Sequence, residues 1–123
     1  MTAGTIRISA PEFARLGDDP PGVRRELVNG EVVVSPSPTP AHAHTLMELA
    51  ALLRAHIRKH SLGQLIADVD VPLNEANVRR PDLLFYAADR VHLVTAERLL
   101  GVPDLTVEIV SRSSAHTDKI EKL

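Results

Sequence analysis

At 123 residues the chain has the length of one domain, enough to bury roughly two thirds of the surface its unfolded form would expose. Hydrophobic residues at 44% and charged residues at 24% exclude a disordered or fibrous chain, and the lack of cysteine excludes disulfides, thiolate metal sites and a cysteine nucleophile. A formal net charge of -2 gives no global positive field for nucleic acid, and Phe13, Phe85 and Tyr86 are too few rings for a base-stacking platform.

The first element expected is a short helix over Ser9 to Leu16, capped by Ser9, with Pro11 and Glu12 in its first turn and Gly17 ending it. DDPPG at Asp18 to Gly22 reads as a turn. Asn29-Gly30 between two β-prone runs is a strong hairpin signal and predicts strands near Arg25–Val28 and Glu31–Ser35. The SPSPTP run leads extended into the longest helix, about Ala41 to His60, where Leu46, Leu49, Ala50, Leu53 and Ile57 form one apolar stripe.

Beyond Gly63, GQLIADVDVPL alternates as one strand, with Leu65, Ala67, Val69 and Val71 on one face and Ile66, Asp68 and Asp70 on the other. NEANVRR reads as a polar loop, and Arg80 before Pro81 is held extended. Asp82 opens the strand DLLFYA. Thr95 is placed to cap a short helix, AERLL, that Gly101 ends. Asp104 to Ser111 is expected to be a buried strand, followed by a closing helix over SAHTDKIEKL. The expected class is α/β or α+β: one domain, residues 1–123, with a central mixed sheet flanked by helices.

Asp82 and Glu108 carry the chemistry most worth pursuing. An acid between apolar neighbours in a strand is costly unless it is paired, protonated or on a metal. If the two lie on adjacent strands, both carboxylates can reach one Mg2+ or Mn2+, with the carbonyl of Ile109 as an extra ligand. Such an ion polarises a phosphate and acidifies a bound water. Lys122 is the candidate ammonium beside the phosphate, with Lys119 its rival. The alternatives stand beside these readings: Glu108 on a solvated edge or paired with Arg79 or Arg80, and Lys122 in a helical ion pair with Asp118. His42 and His44, two apart, cannot share a helical face, and His56 and His60 fit a solvated helix end better than a metal clamp. Asp68 and Asp70 fit a solvated strand face, and His92 and His116 have no evident partner.

The string ELVNGEVVVSPSP, the helix entered through AHAH, RRPDLLFY, and VPDLTVEIVSRSSAHTDKIEKL together resemble the Uma-type family of bacterial endonuclease-like proteins, in the PD-(D/E)XK restriction-endonuclease-like superfamily. The resemblance runs from about Phe13 to the last residue. It implies a restriction-endonuclease-like fold with Asp82 as the motif aspartate and Glu108 as the motif glutamate. It further implies that Glu26 and His44 are auxiliary site residues. The superfamily's usual lysine two residues after the glutamate is replaced by Val110, and the family's later lysine matches Lys122. Relatives continue past this lysine, so the domain is expected to lack C-terminal strands. The function expected is Mg2+-dependent hydrolysis of DNA phosphodiester bonds by a cytoplasmic homodimer with no membrane attachment. The alternative is a catalytically silent module of the same fold that acts through oligomerisation or binding.

Overall fold

The computed structural model describes residues 6–110; the expected closing helix, with Lys119 and Lys122, lies outside the described residues. The first helix, α1 (Ala10–Ala14), is set by its cap. Ser9 Oγ accepts from the Glu12 amide at 3.3 Å, and the Glu12 carboxylate accepts from the Ser9 amide at 3.1 Å. This reciprocal box satisfies amides that one helical turn cannot pair. The hydrogen bonds from Ser9, chiefly its backbone amide, hold the Glu12 carboxyl below its ordinary range. α1 exists to seat Phe13, which packs with Leu27 and Val78 in one of two small cores.

Strands β1 (Val23–Val28) and β2 (Glu31–Pro36) form the expected hairpin. Asn29 and Gly30, at φ 50° and 80°, both occupy the left-handed region that matches the strands' own twist across a two-residue turn. Helix α2 (Pro40–Lys59) opens with Pro40 behind the cap Thr39, whose hydroxyl accepts from the His42 amide at 3.2 Å. The expected stripe is the side that faces protein: Leu46, Leu49, Ala50 and Leu53 are half-buried and Ile57 is buried.

After α2 come β3 (Gly63–Ala67), β4 (Val71–Asn74), β5 (Asn77–Arg79) and β6 (Leu83–Ala87). A 3-10 helix over Ala88–Leu93 and β7 (Leu105–Val107) complete the described elements. The α+β class is as expected. The central mixed sheet instead resolves, among the described residues, into two antiparallel sheets ordered β2-β1-β5-β4 and β3-β6-β7. The second core lies against the smaller sheet and contains Val71, Leu84, Tyr86 and Leu99.

Four local expectations are corrected. The run GQLIADVDVPL is two strands in different sheets, because Asp68 at φ 56° turns the chain between them, as aspartate does more readily than most residues. NEANVRR is the turn and second arm of the β4–β5 hairpin: Asn74 Oδ1 accepts from the Ala76 amide at 2.9 Å and from the Asn77 side chain at 3.0 Å. Thr95 closes a turn rather than capping a helix, since its hydroxyl donates to the Arg98 carbonyl at 2.6 Å and accepts from the Arg98 amide at 3.1 Å. The strand expected at Asp104 to Ser111 ends at Val107 and is partly open, with Leu105 56% exposed.

Candidate functional site

Asp82 is the buried charged side chain among the described residues, at 3% exposure. It lies in a continuous buried run, Pro81 to Leu84, where the chain enters β6 at the junction of the two sheets. An anion there needs compensation. Oδ2 accepts from the Ile109 amide at 2.7 Å, Oδ1 lies 3.0 Å from His42 Nε2, and Arg24 Nη1 stands 3.7 Å from Oδ1. Four elements therefore converge on one carboxylate: β1 through Arg24, the first turn of α2 through His42, the start of β6, and the chain just beyond β7.

β6 and β7 place the second acid. Their register ends at Leu83 opposite Val107, and Asp82 and Glu108 are the next residues of the two chain segments beyond that last pair. Glu108 is exposed while Asp82 is buried. The pair thus lies where the ladder ends, one carboxyl inside and one at the surface. Ile109 meets Asp82 through its amide rather than as an oxygen donor in this geometry.

A second layer of charge supports the site. Arg24 Nη2 donates to the Arg80 carbonyl at 2.6 Å and lies 3.4 Å from Asp68 Oδ1. Glu26 Oε2 accepts from the Arg80 amide at 2.7 Å. Arg80 Nη1 reaches Asp19 Oδ2 at 2.6 Å, its Nε reaches Asp70 Oδ1 at 3.0 Å, and Arg25 Nε lies 3.3 Å from Asp19 Oδ1. Burial opposes the charge on Asp19, but Arg80 and Arg25 outweigh it and hold its carboxyl below the ordinary range. Burial likewise opposes the charge on Arg80, and Asp70 and Asp19 outweigh it to raise the guanidinium further. Asp68 and Asp70, expected on a solvated strand face, are members of this network.

The sequence-predicted site residues divide accordingly. Ile109 meets Asp82 directly, and Glu108 precedes it just beyond the last β6–β7 pair. Glu26 lies one hydrogen bond from the Asp82 segment, through Arg80. His44 is exposed, and the histidine that reaches Asp82 is its neighbour His42. Val110 is 55% exposed. Arg24 and His42 were not singled out from sequence as site residues. The available signal for Arg24 was its spacing from Glu26, since residues two apart on a strand share a face.

The donor chemistry suits a hard cation. Two carboxylates offer oxygen ligands, and the contacts from His42 and Ile109 leave unused lone pairs on both Asp82 oxygens. Among the described residues no group of three or more His, Cys, Asp or Glu side chains is arranged to hold a metal. That is compatible with Mg2+, which is held by one or two carboxylates and keeps several waters. No helix of the described residues is long and apolar enough to cross a membrane.

Comparison with known proteins places this geometry in context. A crystal structure described as that of "a putative nuclease belonging to DUF820 from Anabaena variabilis ATCC 29413" matches with a TM-score of 0.72 at 18% identity, over 94% of this chain. This chain spans 65% of the length of that one. The likeness establishes a shared fold. No curated protein gives a significant match. The model of the Uma2 family, described as "Putative restriction endonuclease", matches residues 10–123. Over nearly its whole length, therefore, the chain belongs to the Uma2 family.

Proposed function

We propose that this chain is the nuclease domain of a metal-dependent enzyme that hydrolyses phosphodiester bonds, with DNA as the substrate and Mg2+ or Mn2+ as the cofactor. The observation that carries this reading is the buried Asp82 carboxylate, which with Glu108 directly follows the last pair of the β6–β7 ladder. In this reading Asp82 and Glu108 hold the ion, which supplies polarisation of the phosphate and acidification of a bound water. The Ile109 amide and His42 fix the two oxygens of Asp82, so the carboxylate is oriented before any ligand arrives. The ammonium that meets the phosphate is assigned to Lys122, with Lys119 as the rival. Family membership supports the reaction class, and the DNA substrate and the metal are the proposal's own.

A second reading is favoured by one specific contact. Arg24 supplies positive charge beside Asp82, which is what a metal would otherwise supply. A silent module would keep this internal pairing and need no ion. Nicking of supercoiled plasmid in Mg2+ or Mn2+, compared between the parent and Asp82→Asn, separates the two. The nuclease reading predicts a fall of about 100-fold or more in the variant. No cleavage of DNA or RNA by a folded parent chain, with or without the metal, favours the silent module.

A further inference from the structure

Between Arg79, the last residue of β5, and Leu83, the first of β6, the chain crosses from one sheet to the other. A crossing of this kind leaves backbone groups that neither ladder pairs, and buried groups of that sort need other partners. Arg80 has both its groups satisfied by side chains of one strand. Its amide donates to Glu26 Oε2 at 2.7 Å and its carbonyl accepts from Arg24 Nη2 at 2.6 Å. Arg24 and Glu26 stand two apart on β1 and so project from the same face. The Arg80 side chain is fixed as well, by Asp19 and Asp70.

We propose that Glu26 is a positioning residue: its carboxylate holds the Arg80 amide and so sets the direction in which Pro81 delivers Asp82 to the site. Proline has a fixed φ and confines the residue before it to extended geometry, so orientation imposed at Arg80 passes to Asp82 with little slack. Glu26 therefore acts through the backbone, whereas an acid of the site proper would meet the ion or the substrate. The inference rests on Asp82 being the metal-binding carboxylate, but its structural half can be read without any activity.

Two conservative variants separate the roles. Glu26→Gln keeps an oxygen at the same reach and removes the charge. Glu26→Asp keeps the charge and withdraws it by one methylene. Hydrogen exchange of the Arg80 amide, followed by NMR in each folded variant, is the first measurement. Mn2+ affinity is the second. A positioning role predicts Arg80 protection within about threefold of the parent in the Gln variant and a loss of about tenfold or more in the Asp variant, the scale of one charge-assisted hydrogen bond. Mn2+ affinity should follow the same order. Exchange in the Gln variant as fast as in the Asp variant, or unchanged protection in the Asp variant, would overturn the proposal. Should the parent bind no Mn2+, the nuclease reading fails, while the exchange rates still decide the role of Glu26.

Discussion

The cost of burying Asp82 governs the residues around it. A carboxylate at 3% exposure is tolerable because the Ile109 amide, His42 and Arg24 all face it. Arg24 also holds Asp68 and the Arg80 carbonyl, so its loss would strip three groups at once. Arg24→Met should cost about 2 kcal/mol in urea unfolding, and the Arg24→Met, Asp82→Asn pair should cost clearly less than the sum of its singles, because their partnership is shared. Additive losses would show that the 3.7 Å pair carries no coupling. The Asp19 carboxyl, held low by Arg80 and Arg25 against the opposing effect of burial, has a signed consequence. Its contribution is present above the ordinary aspartate range, near pH 4, and is lost as pH falls through the lower folded value. Asp19→Asn should therefore be less stable than the parent at pH 7 and show a shallower loss of stability below about pH 4, as read from thermal melts across pH.

The elements show where sequence reasoning reached and where it stopped. Local signals were legible: Ser9 with Glu12 for the first helix, Asn29-Gly30 for the hairpin, and the Leu46 to Ile57 stripe for α2. Each is decided by near neighbours in the chain. The break at Asp68 was not legible, because the alternation of Leu65, Ala67, Val69 and Val71 is what one strand would show, and only tertiary packing assigns its halves to two sheets. The site was half legible. Asp82 and Glu108 stand out as acids in apolar runs, but the choice of His42 over His44 depends on how the first turn of α2 faces β6. Gly63 ties an element junction to the sheet: at φ 150°, an added Cβ would collide with the Tyr86 carbonyl oxygen, where β3 pairs with β6. Gly63→Ala should thus cost about 3 kcal/mol or prevent folding, whereas Gly17→Ala, with open space at φ 77°, should cost only about 1 kcal/mol. Equal melting temperatures for the two variants would contradict this contrast.

For the whole molecule, the arrangement puts one carboxylate at the seam between two antiparallel sheets. The larger sheet contributes Arg24 and Glu26 from β1, the smaller one contributes Asp82 and Glu108 from the ends of β6 and β7, and α2 adds His42. Neither sheet alone holds the site, so the seam and the site stand or fall together. The Uma2 match and the shared fold give this seam its chemical context, while the domain spans only part of the solved relative. In the proposed function Asp82 and Glu108 together hold a divalent ion. Calorimetric titration of Mn2+ into the parent chain, Asp82→Asn and Glu108→Gln tests it most directly, with a melt confirming that each is folded. Saturable binding at one site is expected in the parent, abolished in the Asp82 variant and weakened at least tenfold in the Glu108 variant. Binding that survives both substitutions, or a folded parent that takes up no Mn2+, would contradict it.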